Sequence, residues 1–442
     1  MRNTWVLASL LMAGLLCLGA AGWLAGRVER PVDQPSPVSV SPSDVPPGVR
    51  FVMVALGGFR GLLADALWVR ASRLQDEGRV FEVAELTEWI TRLDPRSPEV
   101  WAYHAWNLAY NLASLFPDPA DRWRWVKNGI RLLRDEGIPA NPRDSRLYGE
   151  LGWLYADKVA GRWDPAQVYY RASFADEMTV LMGDGKRERA GFQNDPETIA
   201  RLKAVGLQGE VMAQADEAYG PLDWRLPESH ALYWGLRGRA FQKSGSLWCD
   251  RLVWVSLTEM VRGGSLYFDP AGKLYLRGPR LDIAVKGMRR CERDGIFATP
   301  LTGLPGENFL RESILWLYVF GRTAEADETL AVLRRVPDSG VGSRNLEEAV
   351  RQEVALRVKA AGPEAGRELV EGLLTSGLMW KALAYPDVGV GFESLAKLHW
   401  DALVSLPDHG DFPAWPEMCR RAQEQAKKEL PESRRAAVRG AP

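Results

Sequence analysis

The stretch SRLYGELGWLY, Ser145 to Tyr155, sets aromatic, apolar and small residues at spacings that a helix gathers on one face. Counted from Ser145 as the first position, Tyr148, Leu151, Gly152 and Tyr155 stand at positions four, seven, eight and eleven. After a turn, Ala166, Tyr170 and Ser173 keep helical spacing on a second segment. A small residue at the eighth position lets two antiparallel helices approach, and the aromatic near the fourth fills the seam between them. Upstream, Ser97-Pro98 opens a similar unit with Trp101, Ala105 and Leu108 in the corresponding places. Earlier still, Trp68, Ala71 and Gly78 are followed by Leu93-Asp94-Pro95, whose proline starts the next helix.

In these positions the chain resembles the tetratricopeptide repeat (TPR) superfamily, and looks like its divergent, membrane-anchored bacterial members. The pattern returns at Trp234, Gly238, Phe241 and Gly245, with Arg237 where an apolar residue is expected. It returns again at Ile314, Leu315 and Tyr318, with Ala326 and Pro337 one residue out of step. Two second-helix segments break the family's register of roughly 34 residues, so recognisable units cover about half the chain. The resemblance implies an all-α fold, a TPR-like α-solenoid of antiparallel helix pairs over residues 51–430. Any antiparallel helix pair needs small and aromatic residues at such places, so an irregular helical domain is the alternative. First-helix residues line the concave face in the family. The resemblance therefore directs a protein partner to Trp101, Tyr103, Trp106, Asn107, Tyr110 and Asn111. Asn107 and Asn111 lie four apart on one helical face, and satisfying a buried loop is their alternative role. They do not match the carboxylate-clamp pattern of some TPR domains. His104 reads as a packed helix residue.

With 442 residues the chain is long enough for two or three ordinary domains or one long solenoid. Its net charge of −1 argues against nucleic acid, which demands a basic excess to neutralise phosphates. The 18 tryptophans sit beside other aromatics at helical spacing, which points to helix packing before a ligand groove.

Thr4 to Ala25 is an apolar run of 22 positions without a charge, flanked by Arg2 and by Arg27 and Arg30. About 20 apolar residues span a bilayer, whereas a cleavable signal holds only about 7 to 15. Residues 1–30 therefore read as an uncleaved signal-anchor with one transmembrane helix. Cleavage after Gly22 is the competing reading. Leu16 before Cys17 is too large for a lipobox. Arginine counts on the two sides nearly tie, and the short N-terminal tail favours a single-pass protein whose bulk is extracytoplasmic, in the periplasm. Residues 31–50 follow as a linker, with six prolines and four serines between Pro31 and Pro47. Phe51 to Leu56 reads as a first buried helix.

Further on, Asp118-Pro119, Asp164-Pro165 and Asp195-Pro196 mark helix starts, each a capping oxygen before a proline. A helix is expected to stop at Gly137, and Gly183 to Asn194 reads as a solvated loop. Residues 265–277 break the helical pattern as two short strands and a turn, a β-hairpin inserted in the array. It serves either as a partner-binding edge or as a cover for the hydrophobic side. Helices are expected from Phe309 to Arg335, Asn345 to Ala360 and Glu364 to Leu374. A loop at Tyr385 to Phe392 precedes a last pair, and the tail 431–442 reads as disordered.

No reaction is named by these residues. His104, His230, His399 and His409 are never within five positions of each other, and no Cys-x-x-Cys occurs, so no metal site and no cofactor are expected. Cys249, Cys291 and Cys419 read as buried thiols, with a Cys249–Cys291 pair as the alternative in an oxidising compartment. There is no Gly-x-Ser-x-Gly elbow and no phosphate-binding loop. The expectation is a non-catalytic membrane scaffold that binds a protein partner in an envelope or transport assembly. The alternative is a glycan-acting or carbohydrate-binding helical protein, with Asp121 near Trp123 and Asp223 beside Trp224 as its acids.

Overall fold

Helix starts follow the capping chemistry. Asp118 accepts the Ala120 N–H at 2.9 Å, Asp144 those of Arg146 and Leu147, and Asp195 that of Thr198. Asn345 and Glu348 form a reciprocal capping box. The computed structural model describes residues 60–438 apart from 162, 183–194, 243–246, 270–273, 295–299 and 407–411. The expected membrane segment 4–25, the linker 31–50, the helix at Phe51–Leu56 and the loop Gly183–Asn194 lie outside the described residues. Among the described residues no helix is long and apolar enough to cross a membrane.

The described chain is mostly helical. Helices α1 (Arg60–Asp76) and α2 (Val80–Leu93) pair first. Then come α3 (Pro98–Trp106), α4 (Pro119–Arg131) and α5 (Ser145–Trp153). Each of these three runs directly into a π-helical turn: Asn107–Leu112, Leu132–Gly137 and Leu154–Val159 respectively. Helices α6 (Gln167–Met182), α7 (Pro196–Ala204), α8 (Gly209–Ala218), α9 (Pro227–Arg239) and α10 (Trp248–Gly263) lead to the strands β1 (Ser265–Asp269) and β2 (Leu274–Gly278). After them lie α11 (Leu281–Asp294), α12 (Pro300–Val319), α13 (Thr323–Leu333), α14 (Leu346–Ala382), α15 (Pro386–Val404), α16 (Trp415–Glu429) and the short α17 (Glu432–Arg435).

The two strands are antiparallel, with Tyr267 opposite Leu276. Leu274, Leu276 and Gly278 face inward. Arg277 anchors the hairpin: Nη1 meets the buried Glu228 of α9 at 2.7 Å, and Nε donates to the Gly263 carbonyl at 2.8 Å. Trp380 of α14 closes over Gly278 and donates from Nε1 to the Arg277 carbonyl. The hairpin covers the helices beneath it.

Several boundaries differ from the sequence reading. The helix expected to stop at Gly137 continues through its π turn to Ala140, because Gly137 is used for contact: a Cβ there would stand 3.2 Å from Trp101. The helical stretch expected from Phe309 to Arg335 is α12 and α13, with Gly321 (φ 72°) between them in the left-handed region. In agreement with the separate helices expected at Asn345–Ala360 and Glu364–Leu374, α14 is two helical segments that meet at a kink, where Gly362 (φ 80°) is non-helical and Pro363 follows. Tyr385–Phe392 is the start of α15, where Gly389 and Gly391 permit close packing on Gly377 and Phe320. The tail expected as disordered forms α17, and Val438 beyond it is buried. Cys249 is a buried free thiol, its Sγ 3.4 Å from the Ser145 carbonyl, and the Cys291 side chain lies outside the described residues.

One large apolar core runs from Trp101 to Val438, and a small separate one joins Ala64 of α1, Ile90 and Leu93 of α2 and Val100 of α3. Within the large core, Glu312 of α12 is buried and joins three helices. It receives Arg262 of α10 at 2.7 Å, Arg357 of α14 at 2.8 Å and Trp316 Nε1 at 2.7 Å. Burial alone would raise its pKa, but these partners outweigh burial and bring it down to about 2 from 4.5. A carboxyl held below its unfolded value stabilises the fold above that value and loses its contribution as pH falls toward 2. Glu312→Gln should therefore cost about 3 kcal/mol at pH 7, and the difference from wild type should shrink to about half by pH 3. Urea melts at the two pH values measure both figures.

Candidate functional site

Helix α4 and its π turn carry two stripes of side chains. Trp125, Asn128, Leu132 and Glu136 recur every three or four residues and line an open groove of about 530 Å3. Trp123, Lys127, Ile130 and Arg134 recur in the same way and line a pocket of about 270 Å3. Arg131 belongs to both. The groove lies beside the small separate core, with Phe81, Glu85, Glu88 and Arg92 of α2 as one wall. His104, Leu108 and Leu112 of α3 line it as well.

Groove chemistry is mixed. Phe81 is 58% exposed although aromatic, and Trp125 stacks on Phe116 with ring centroids 5.9 Å apart. Glu88 and Arg92 satisfy each other at 2.5 Å. Burial and the nearby Glu88 raise the Glu136 carboxyl, against the opposing pull of Arg92. His104 is buried, its Nδ1 has no hydrogen-bond partner, and burial brings its pKa down to about 4, so the imidazole is neutral at pH 7.

The six aromatic and asparagine positions singled out in the sequence do not form one surface. Trp101 is buried against Gly137 and donates from Nε1 to the Pro95 carbonyl at 2.9 Å. Asn107 is only 1% exposed; its Oδ1 accepts from Asn111 Nδ2 at 2.9 Å, while its own Nδ2 is buried with no hydrogen-bond partner. Tyr103 packs on the edge of Trp68 and hydrogen-bonds Gln75. Trp106 and Tyr110 do come together, stacked 5.6 Å apart, and Tyr110 donates to Asp157 at 2.7 Å. The groove instead takes His104, Leu108 and Leu112 from the same helix. Their four-residue spacing fits a face that the π turn unwinds, since i→i+5 bonding carries more residues per turn. The available signal was Phe81, an aromatic on the same side of α2 as Glu85, Glu88 and Arg92.

The acids of the glycan alternative do not converge on either cavity. Asp121 sits in the first turn of α4 and pairs with Arg124, while Asp223 is held bidentately by Arg225 at 2.7 and 2.9 Å. Neither lines the groove or the pocket. Among the described residues no group of three His, Cys, Asp or Glu could hold a metal ion.

Gly129 sets the distance between α3 and α4. A Cβ at this position would stand 2.7 Å from the Ala105 carbonyl oxygen and 3.2 Å from Ala109 Cβ. Gly129→Ala gains about 1 kcal/mol in helix propensity but forces the backbones apart, which costs about 1–3 kcal/mol. Because backbone cannot swing aside, the clash should win, with a net loss of about 1–2 kcal/mol read from a thermal or urea melt. Compared with family models, with curated proteins and with solved structures, the chain matches none.

Proposed function

We propose that this chain is a non-catalytic, membrane-tethered scaffold whose helical body, a TPR-like array of antiparallel helix pairs, receives a segment of a partner protein in an envelope or transport assembly. The apolar run 4–25 is its tether, and the proline- and serine-rich linker holds the helical body off the bilayer on the extracytoplasmic side. The observation that carries this reading is the groove between α2 and α4. It pairs an exposed Phe81 and an accessible Trp125 with carboxylates at its edges. Apolar anchors ringed by polar groups are how a groove takes an amphipathic segment.

Charge narrows the partner. The groove presents Glu85, Glu88 and Glu136 against Arg92 and Arg131, and Glu88 is already matched by Arg92. A segment with an apolar side chain for Phe81 and Trp125 and a basic residue for Glu136 fits this lining. Removing a central aromatic anchor typically costs about 2 kcal/mol or more, which is over tenfold in affinity.

The test is affinity purification of the full chain from mildly solubilised membranes, beside Phe81→Ala, Trp106→Ala and a chain lacking residues 1–30. Phe81→Ala should lose co-purifying envelope proteins at least tenfold while melting as wild type does. Trp106→Ala, on the other side of α3, should keep them. Equal recovery with Phe81→Ala and wild type would reject the groove, and recovery of no partner by the intact chain would reject the scaffold.

A further inference from the structure

The inner pocket of α4 has a different lining from the groove and calls for a different ligand. We propose that it is a binding site for a small monocarboxylate with an aromatic or aliphatic body. Its sides are Ile130, Met178, Leu181 and Val205, with Trp123 beside them. His230, Tyr155 and Phe174 form a fully packed aromatic end, with Phe174 edge-on to the His230 ring at 4.8 Å and Tyr155 at 5.2 Å. His230 Nε2 lies 3.0 Å from the Trp224 carbonyl, so that nitrogen carries the proton and the ring is fixed in one tautomer. Burial brings His230 down to about 4 and pushes the Tyr155 hydroxyl up to about 12. The His230 and Tyr155 side chains are therefore neutral at pH 7, with the Arg134 guanidinium beside Tyr155, and the apolar part of a ligand falls to Ile130, Met178, Leu181 and Val205.

Charge enters from three cations. Lys127 is matched by Glu177 at 2.7 Å, and Arg134 is held by Asp135 through two hydrogen bonds of 2.6 and 2.8 Å. Arg131 is exposed and makes no ion pair with a described residue. One guanidinium with a free fork matches one planar carboxylate; a phosphate dianion would need further unmatched cations. The cavity of about 270 Å3 falls just below the ~300–1000 Å3 of drug-sized sites, which limits the ligand to on the order of ten heavy atoms.

Probes of that size are 3-phenylpropionate and its uncharged counterpart 3-phenylpropan-1-ol, titrated calorimetrically into the full chain in detergent with matched micelles as blank. The carboxylate should give saturable heat and bind about tenfold more tightly than the alcohol. Arg131→Gln should erase that preference. Ala204→Trp, at the exposed end of α7 where it borders the pocket, should abolish binding of both without lowering the melting temperature. No saturable binding of 3-phenylpropionate would overturn the proposal, as would binding that survives Ala204→Trp or a preference that survives Arg131→Gln. Ala204 does not line the groove, so partner capture there fails or succeeds separately.

Discussion

How closely α4 can approach its neighbours decides the shape of both cavities. Gly129 brings its backbone against the Ala105 carbonyl, and Gly137 brings the π turn against Trp101. A helix seated so tightly on one neighbour leaves its remaining faces to be covered by whatever comes next. On one side comes α2, which shares a small core with α1 and with Val100 of α3. On the other come α6, α7 and α9, whose side chains belong to the large core. The groove and the pocket are the two places where those neighbours do not close fully.

Tight apolar packing alone would not explain the buried ions in this fold. Lys158 is nearly inaccessible, yet its Nζ meets Asp164 at 2.5 Å and lies over the rings of Tyr110 and Tyr170 at 5.0 and 5.9 Å. Burial would raise Asp164, but Lys158, the Ala166 N–H and the Tyr170 hydroxyl together hold it below its ordinary value. Glu312 is satisfied in the same manner by two arginines and an indole. Removing one partner from such a pair leaves a charge stranded in a poor solvent, at several kcal/mol, whereas replacing the whole pair by apolar groups is often neutral. The networks therefore tie particular helices together. Arg262, Glu312 and Arg357 do so for α10, α12 and α14, and Arg122, Lys158 and Asp164 for the helices around the π turns.

What the sequence showed depended on whether a signal was local. Helix starts at Asp118, Asp195 and Asn345 were set by side chains within three residues of the donors they satisfy, and the strands around 265–277 were marked by their own composition. Glycines were the main source of error, because Gly137, Gly389 and Gly391 look like stop signals along the chain and act as contact points across it. The site suffered most from an assumed periodicity. A 3.6-residue helix places Trp101, Asn107 and Asn111 by simple counting, but the π turn at Asn107–Leu112 changes the count, and nothing in single-sequence spacing announces a π turn. Phe81 and Arg131 were legible only as residue types. Their role came from the partners that α2 and α4 find in space.

Charge sorting along α4 finally explains why one helix can border two unlike sites. Its groove side meets Glu85 and Glu88 and adds Glu136, while its pocket side carries Lys127 and Arg134. Arg131 stands at the boundary as the one member of both linings. With its neighbours Lys127 and Arg134 already matched, Arg131 gives the pocket mouth a net attraction for an anion, and the unmatched carboxylates give the groove the opposite preference. Were both proposed sites occupied, discrimination would need repulsion at the wrong site as much as attraction at the right one: α4 turns Lys127 and Arg134 to the pocket, while Glu85 and Glu88 of α2 supply most of the groove's carboxylates.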